Sequence, residues 1–314
     1  MTATNPNGPA PVSDPIGFIG LGTMGSRLAR NLRSDGFRLV VHNRTRDRAE
    51  PLLSEGADWA ATPAELGRRQ AGRLVLLMLT DGDAVRSVLF GTDGLARTAG
   101  PGTLVVDLST IAPEQSREFA RRLRRRGIGY LDAPVLGSTE AAERRGLVLV
   151  VGGEAGDLDR ARPVLERLGR RVEHVGPVGA GTSFKLVNNL LFLSHMAAAG
   201  EALALGKALG LERRQLLGLL VDDGASSRVL EMKKGFIAES SYPAQFPLAL
   251  AHKDLVLALA AARRRGLRLT VSSQVRKWYD VAMGEGRARE DYSSVVESEI
   301  GRLSGRRDPT PSVK

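Results

Sequence analysis

Residues 16–25 read Ile-Gly-Phe-Ile-Gly-Leu-Gly-Thr-Met-Gly, a short apolar run followed by three glycines with the spacing GxGxxG. The run has the composition of a buried strand, and the helix-like stretch SRLARNLRSDG follows it directly. A strand, a glycine turn and a helix in this order form the context in which a dinucleotide binds. An ordinary glycine-rich turn is the alternative. The stretch therefore predicts the start of a Rossmann-type domain.

The three glycines of this turn have separate predicted roles. Gly20 permits the tight turn, Gly22 lets a pyrophosphate approach the backbone, and Gly25 lets the helix pack against the strand. The phosphate charge would lie at the N-terminus of the helix, where backbone N–H groups point outward. We assign the whole turn to cofactor binding: Gly20, Leu21, Gly22, Thr23, Met24 and Gly25.

Short apolar runs alternate with helix-like segments through the first half of the chain. These runs are Gly17–Ile19, Arg38–His42, Leu74–Leu79, Leu104–Asp107, Gly129–Leu131, Leu147–Val151 and Val172–Val175. The alternation is typical of βαβ units, and uninterrupted apolar runs are expected of strands covered by helices on both faces. The pattern predicts an α/β domain with a largely parallel sheet over residues 15–178.

The pattern changes at residue 179, where strand-like runs disappear and apolar residues recur at helical spacing. The predicted helices are Thr182–Leu209, Gln215–Asp222, Phe246–Arg265 and Val271–Met283. The first is about 28 residues long, or roughly 42 Å at about 1.5 Å per residue. We therefore expect an all-α domain over residues 179–303, joined to the first domain by a long helix. The polar segments 1–14 and 304–314 are predicted to be disordered tails.

Composition excludes several classes of site. The chain has 314 residues and no cysteine, so disulfides, thiolate catalysis and cysteine-ligated zinc are excluded. Its four histidines show no ligand spacing, and we expect no metal site. The sequence contains no apolar run long enough to span a membrane and no secretory signal pattern. These features predict a cytoplasmic protein.

The formal net charge of +10 raises the question of an anionic partner. The densest basic runs, residues 121–126 and 263–265, stand late in helical segments, where cations complement the carbonyl end of a helix. Aromatic residues are sparse and are not interleaved with these arginines, which argues against nucleic acid. Solvated helix ends are the preferred interpretation.

The end of the second predicted strand bears on the choice of cofactor. A site that prefers NAD places Asp or Glu there to accept hydrogen bonds from the ribose, but residues 41–46 read Val-His-Asn-Arg-Thr-Arg. Asn43 can still bond the ribose, while Arg44 and Thr45 can bind a 2′-phosphate. The expected cofactor is therefore NADP rather than NAD. The alternative is that these arginines only decorate a surface loop.

Hydroxyl side chains follow two other predicted strands. Ser109 and Thr110 come directly after the strand that ends at Asp107, and ligands of open α/β sheets bind at such ends. We assign Ser109 to the substrate and Thr110 to the cofactor, with helix capping as the alternative for both. Leu79 and Thr80, at the end of another strand, are also assigned to the cofactor.

The segment Asp132-Ala-Pro-Val-Leu-Gly-Ser-Thr-Glu140 is rich in turn-forming residues and follows a further predicted strand. Backbone amides around Gly137 and Ser138 can hold a carboxylate, and we assign both residues to substrate binding. From the sequence pattern alone, the segment is interpreted as a loop.

The candidate for acid–base chemistry is Lys185, near the N-terminal end of the long helix. Asn189 lies four residues later on the same helical face. A lysine near a helix N-terminus is electrostatically disfavoured, so its ammonium can exchange a proton with an alcohol oxygen at neutral pH. A solvated lysine is the alternative. Lys253, within His252-Lys-Asp254, is assigned to the cofactor, with exposure to water as its alternative.

Taken together and in this order, the segments GFIGLGTMG, DLST, DAPV, GAGxxxKxxNN and HKD resemble the β-hydroxyacid dehydrogenase family. That family includes 3-hydroxyisobutyrate dehydrogenases and glyoxylate/succinic semialdehyde reductases, and its cofactor domain is of the 6-phosphogluconate dehydrogenase type. The resemblance runs from Ile16 to about Arg302. It implies an NADP-dependent oxidoreductase that transfers hydride between the nicotinamide and a small β-hydroxy acid or aldehyde acid.

The resemblance also implies roles for individual residues. Lys185 is the expected catalytic acid/base, and Asn189 orients the reacting oxygen in the substrate site. Thr110 and Lys253 are expected to contact the cofactor. Family members are usually dimers or tetramers built through their helical domains. One departure concerns the substrate: where many members have Ser-Gly-Gly, residues 136–138 read Leu-Gly-Ser, which favours a more apolar substrate.

Two other functions compete with this interpretation. Imine reductases resemble the N-terminal half, including the NRT segment, but they normally lack a lysine at the position of Lys185. A protein that senses the cofactor without turnover is the second alternative, and the presence of both Lys185 and Asn189 argues against it.

Overall fold

A computed structural model describes residues 14–304. The predicted tails 1–14 and 304–314 lie outside the described residues, except for Asp14 and Ser304. The chain divides into two compact units, the first ending at Lys185 and the second beginning at Leu186. This division falls inside a long helix, a few residues after the boundary predicted at 178/179.

The first unit contains one mixed sheet of nine strands. These are β1 (Ile16–Ile19), β2 (Leu39–His42), β3 (Asp58–Trp59), β4 (Leu74–Leu77), β5 (Leu104–Asp107), β6 (Gly129–Asp132), β7 (Val135–Leu136), β8 (Leu147–Gly152) and β9 (Gly169–Gly176). The strand order is β3-β2-β1-β4-β5-β6-β8-β7, and β9 pairs with β8. The first six strands in that order are parallel, whereas β8 is antiparallel to β6 and β7.

The helices of the first unit cover both faces of this sheet. They are α1 (Thr23–Ser34), α2 (Glu50–Ser54), α3 (Pro63–Arg69), α4 (Gly82–Phe90), α5 (Pro113–Arg124), α6 (Thr139–Glu143) and α7 (Ala155–Leu168). Alternate residues of a strand point to opposite faces. Accordingly, Val106 of β5 lies in the core beneath α1 and α7, while its neighbour Val105 lies in the core beneath α3, α4 and α5.

The long helix α8 (Ala180–Ala208) leads into the helical second unit. The helices that follow are α9 (Arg213–Asp222), α10 (Arg228–Glu239), α11 (Leu248–Arg264), α12 (Thr270–Gly284) and α13 (Val295–Ser304). Its apolar core includes the buried rings of Tyr279 and Tyr292. Within that core, Lys233 and Asp291 form a buried ion pair with 3.1 Å between Nζ and Oδ1.

The architecture confirms the predicted fold class, a mostly parallel Rossmann-type sheet followed by a helical region. The elements that the sequence pattern missed include β3, β7, α6, α10 and α13. The two strands are only two residues long, too short for an alternating pattern to be detected. Helix α10 includes two consecutive lysines and a glycine, which interrupt its apolar periodicity.

The parallel register brings the carboxyl ends of five strands into one row. Residues paired across the sheet run from His42 through Ile19 and Leu77 to Asp107 and Asp132. The order reverses between β1 and β4, since β2 lies on one side of β1 and the later strands lie on the other. Ligands of open α/β sheets bind at such a switch point. The glycine turn after β1 therefore opens at this edge.

Close packing of α1 on β1 depends on glycine. Gly20 has a φ of 102°, in the left-handed region, and its carbonyl oxygen lies 1.9 Å from the position that a Cβ on Gly25 would occupy. A side chain at Gly25 therefore cannot be accommodated without moving the helix. In contrast, a Cβ on Gly22 would meet no atom closer than 3.9 Å, which leaves open space above that residue.

We expect Gly25→Ala to lower the free energy of unfolding by about 1–3 kcal/mol, the usual cost of overpacking. Gly22→Ala is the matched control, and its effect should stay within about 0.5 kcal/mol. Urea denaturation followed by circular dichroism measures both values. Equal stability of the two variants would contradict the packing role assigned to Gly25.

Candidate active site

The glycine turn is held in place by Asn43, at the end of β2. The amide N–H of Leu21 donates to Asn43 Oδ1 at 2.9 Å, and Asn43 Nδ2 donates to the Thr45 carbonyl at 2.8 Å. One side chain therefore joins the loops that follow β1 and β2. Thr23 is exposed in this turn, Met24 is half-buried, and Gly22, which precedes α1, offers no side-chain cap to its first N–H groups.

The residues after Asn43 present positive charge. Arg44 and Thr45 are both exposed, while Arg46 lies over the Trp59 ring at 5.6 Å and pairs with Glu50 at 3.1 Å. Residues 41–46 contain no carboxylate, so the loop after β2 presents the exposed Arg44 as an anion-attracting side chain. The role of Arg44 and Thr45 toward a 2′-phosphate stays a prediction.

Ser109 connects two strand ends. Its buried hydroxyl accepts a hydrogen bond from the Leu79 amide at 2.9 Å, and its own amide donates to Asp107 Oδ1 at 2.9 Å. The alternative that Ser109 or Thr110 caps a helix is wrong, because α5 begins at Pro113. These bonds place Leu79, Ser109 and Thr110 at one edge of the sheet, beside the exposed Thr80.

The segment after β6 is more ordered than the predicted loop. Residues 135–136 form β7, and Ser138 caps α6 through a 3.2 Å hydrogen bond from the Ala141 amide to Oγ. Gly137 has a φ of 132°, and a Cβ there would lie 2.7 Å from the Leu147 side chain. The interpretation as a loop was therefore wrong, since pairing with β8 gives the segment a strand and a helix. The substrate roles of Gly137 and Ser138 stay predictions.

Asp132, the last residue of β6, caps the long helix α8. Its buried carboxylate accepts hydrogen bonds from the Gly179 amide at 2.7 Å, the Thr182 amide at 2.7 Å and the Thr182 hydroxyl at 3.0 Å. Burial raises the pKa of Asp132 to about 6, although the three donated hydrogen bonds oppose that rise. The carboxylate form therefore predominates at neutral pH.

A second buried carboxylate lies beside the first. Asp107 pairs with Asp132 in the sheet register and accepts a 2.9 Å hydrogen bond from the Tyr130 hydroxyl. Burial, with the neighbouring carboxylates, raises the pKa of Tyr130 well above its ordinary value, so this phenol remains a donor. Ser116 of α5 stands 3.4 Å from the Thr182 hydroxyl. These polar side chains form a buried network under the start of α8.

In the second unit, the buried carboxylate of Asp254 holds Asn189. Asn189 Nδ2 donates to Asp254 Oδ2 at 2.7 Å, and Lys253 Nζ lies 3.0 Å from Asp254 Oδ1. Lys185, half-buried, precedes Asn189 by four residues on the same helix, which places both side chains on one helical face. The hydrogen bond to Asp254 fixes the orientation of the Asn189 side-chain amide.

Sequence reasoning did not assign Asp132 or Asp254 to the site. Asp132 had a detectable signal, because it directly follows the predicted strand Gly129–Leu131, as a charged residue after an apolar run. Asp254 was adjacent to the assigned Lys253, but its partner is 65 residues away in the chain. Only the folded structure pairs it with Asn189.

One of the two basic runs, residues 121–126, makes contacts within the first unit. Arg122 of α5 lies 3.7 Å above the Phe90 ring and 3.3 Å from Glu118, and Arg124 pairs with Glu154 at 3.0 Å. Both arginines stand in the last turn of α5. This arrangement agrees with the interpretation as solvated helix ends.

Residues 14–304 contain neither a candidate membrane-spanning helix nor a candidate metal-binding cluster. No helix in this range combines the length and the apolar character needed to cross a bilayer. Histidine, aspartate and glutamate side chains do not gather there in groups of three that would hold a metal ion.

Comparison with known proteins covers nearly the whole chain. The NAD-binding domain of 6-phosphogluconate dehydrogenase matches residues 15–176, and the NAD-binding domain of NADP-dependent 3-hydroxyisobutyrate dehydrogenase matches residues 179–298. NAD-dependent L-serine dehydrogenase of Pseudomonas aeruginosa is 35% identical over 89% of this chain and 96% of its own length. The 2-hydroxy-3-oxopropionate reductase of Escherichia coli is 32% identical over 90% of this chain and 96% of its own length.

A solved structure of a similar protein also superposes on most of this chain. Psf3, determined in complex with NADP+ and 2-OPP, superposes with a TM-score of 0.81 at 28% identity, covering 90% of this chain and 99% of Psf3. Several imine reductases, at 21–24% identity, share the fold. At that level of identity, the likeness concerns the fold alone.

Proposed function

The chain belongs to the β-hydroxyacid dehydrogenase family of NAD(P)-dependent oxidoreductases acting on CH–OH groups, and we propose that it interconverts a small β-hydroxy acid and the corresponding aldehyde acid with NADP as cofactor. We place this activity in the cytoplasm. The observation that carries the proposal is the pair of Lys185 and Asn189 on one face of α8, with the Asn189 amide held by Asp254 at 2.7 Å.

The glycine turn fits the pyrophosphate of a dinucleotide. Space above Gly22 is open, and the first turn of α1 contains no acidic side chain that would repel phosphate. The N–H groups of that turn, together with the helix dipole, stabilise an anion there. Arg44 and Thr45 would hold the 2′-phosphate, while Leu79, Thr80, Thr110 and Lys253 are the further residues that we assign to the cofactor.

The bound cofactor supplies or accepts the hydride, and the protein handles the proton. During reduction, Lys185 donates a proton from Nζ to the carbonyl oxygen, and in the reverse direction it accepts the hydroxyl proton. Asn189 orients the same oxygen. Because Asn189 is itself fixed by Asp254, little conformational entropy is lost when the substrate is bound in reactive geometry.

The substrate carboxylate would be bound by the segment after β7. Leu136 contributes no hydroxyl there, and the hydroxyl of Ser138 already accepts the capping hydrogen bond of α6. Backbone amides around Gly137 are the remaining donors of that segment. We therefore assign carboxylate binding mainly to backbone groups, keep Ser109 as a further substrate residue, and expect a more apolar substrate.

Lys185→Ala should lower turnover at least about a hundredfold, because a general acid contributes that much or more to rate. A panel of aldehyde acids, hydroxy acids and cyclic imines, assayed with NADPH and with NADP+, would first identify the best substrate. The variant's affinity for NADPH should stay unchanged. Lys207→Ala, which alters an exposed lysine on the same helix, is the control and should keep full turnover. Unchanged turnover in Lys185→Ala would remove Lys185 from the mechanism.

NADPH should bind more tightly than NADH, because Arg44 pairs with a phosphate that NADH lacks. Fluorescence titration measures both dissociation constants. Arg44→Ala should weaken NADPH binding about tenfold, the effect of about 1.4 kcal/mol, and leave NADH binding unchanged. Arg170→Ala alters an exposed arginine on β9 and should change neither value. Equal affinities for the two cofactors in the unmodified protein would contradict the preference.

The helical unit also supports self-association, and we propose a homodimer or a tetramer. Three large apolar side chains on α8 are strongly exposed, Val187 (69%), Leu191 (58%) and Leu205 (61%), and Leu209 (69%) lies directly after its C-terminal end. Val187 and Leu191 are four residues apart, as are Leu205 and Leu209, and the second pair follows the first by 18 residues. This spacing places the side chains on one side of the helix. Exposed large apolar side chains grouped on one side of a helix are typical of a protein–protein interface.

Leu191→Asp should convert the oligomer to monomers, because a carboxylate in an apolar interface loses its hydration. Sedimentation velocity at several protein concentrations measures the change. Val271→Asp, which alters a side chain that is 72% exposed on α12, is the control and should sediment like the unmodified protein. A monomeric unmodified protein would overturn the proposal.

A further inference from the structure

We propose that Asp132 is a positioning residue for Lys185: its buried carboxylate fixes the first turn of α8 and supplies the negative charge that keeps the lysine ammonium one turn later in its reactive place. This inference rests on the proposed function of Lys185. It assigns to Asp132, whose carboxylate oxygens both accept hydrogen bonds from the start of α8, an effect on turnover through the helix that it caps.

Asp132 fixes the start of α8 through its hydrogen bonds. Both carboxylate oxygens of Asp132 are used, Oδ1 by the Gly179 amide and Oδ2 by the amide and hydroxyl of Thr182. These are N–H groups that an α-helix leaves without partners at its beginning. Lys185 follows Thr182 by three residues, about 4.5 Å along the helix axis at about 1.5 Å per residue. The position of Lys185 is therefore set by the end of β6.

Asp132 also places a negative charge at the N-terminal end of α8. The N-terminal end of a helix carries a partial positive charge, which disfavours a lysine in the first turns. A carboxylate at the cap offsets that charge, so the ammonium form of Lys185 is stabilised by an acid from another element. Neutral capping residues, such as Thr62 at the start of α3, would supply the hydrogen bond without the charge.

The buried network around Asp132 keeps its carboxylate rigid. The groups that face Asp132 are Thr182 on α8, Asp107 on β5 and, through the same network, Tyr130 on β6 and Ser116 on α5. These four side chains and that of Asp132 itself are buried. A network closed in this way holds the carboxylate in one orientation, because any rotation would leave buried polar groups without partners. Ser109, which bonds to Asp107 and Leu79, extends the network to the strand ends assigned to the cofactor.

Asp132→Asn tests the inference, since it keeps the side-chain shape and removes the charge and one acceptor. We expect kcat with the best substrate of the panel to fall at least about tenfold, with KM and NADPH affinity within about twofold of the unmodified values. The alkaline limb of the kcat–pH profile should move to lower pH, because the partial positive charge at the start of α8 is then no longer offset. Hydrogen–deuterium exchange of amides 180–185, measured without cofactor, should become faster.

Thr62→Ala is the matched control for loss of a helix cap in the same unit, since Thr62 Oγ1 accepts the Glu65 amide at 3.0 Å. It should lower the melting temperature and leave kcat and its pH profile unchanged. An Asp132→Asn variant with unchanged kcat, pH profile and exchange would overturn the inference. If Asp132→Asn does not fold, Thr182→Val decides: it removes one hydrogen bond to Asp132, so kcat should fall severalfold and amides 180–185 should exchange faster, and no change in either contradicts the proposal.

The catalytic role of Lys185 and the positioning role of Asp132 are tested by different variants. If Lys185→Ala retains turnover, the proposed function of Lys185 is wrong, whatever Asp132→Asn does. If Lys185→Ala is inactive while folded Asp132→Asn retains kcat and its pH profile, only the positioning role is wrong. Asp132→Glu adds one methylene and keeps the charge, so its pH profile should stay closer to that of the unmodified protein than the profile of Asp132→Asn.

Discussion

Parallel register is the constraint on which the first unit depends. Hydrogen bonding aligns the last residues of β2, β1, β4, β5 and β6 in one row, so the loops that leave these strands emerge at one edge. That single alignment brings together segments separated by about a hundred residues in the chain. The close approach of α1 to β1, which requires glycine at Gly20 and Gly25, then points the first N–H groups of α1 at the same edge.

Two carboxylates buried side by side would be costly without compensation, because burial disfavours charge and like charges repel. At Asp132, three hydrogen bonds from the start of α8 provide this compensation, and at Asp107, the Tyr130 hydroxyl and the Ser109 amide do. The same bonds connect the sheet to the long helix. A feature that costs stability in isolation thus determines where the proposed catalytic lysine lies.

The second unit solves a related problem with different residues. Asp254 is buried and would be unfavourable alone, but Asn189 and Lys253 both contact its carboxylate. Lys233 and Asp291 form another buried pair, with Gln245 accepting a second hydrogen bond from Lys233 at 2.9 Å. In each case, charges inside the core are paired, and the pairing fixes the orientation of a neighbouring polar side chain.

Local patterns were sufficient for much of this protein. Apolar runs, the glycine spacing of residues 20–25 and the change to helical periodicity at residue 179 determined the α/β and all-α regions, because each signal lies within a few residues of chain. The missing acid after Val41 and the lysine at position 185 are equally local, and they indicated the expected cofactor and chemistry. Predictions based on these signals required no knowledge of distant contacts.

Tertiary structure decided what the individual side chains do. Ser109 was weighed as a helix cap but joins two strand ends. The segment 132–140 was interpreted as a loop but contains a strand and the start of a helix, and Asp132 and Asp254 were not assigned at all. Hydrogen-bond partners of Asp132 lie about fifty residues away, and that of Asp254 lies 65 residues away. The register of the sheet and the packing of helices choose such partners, and no short stretch of sequence contains that information.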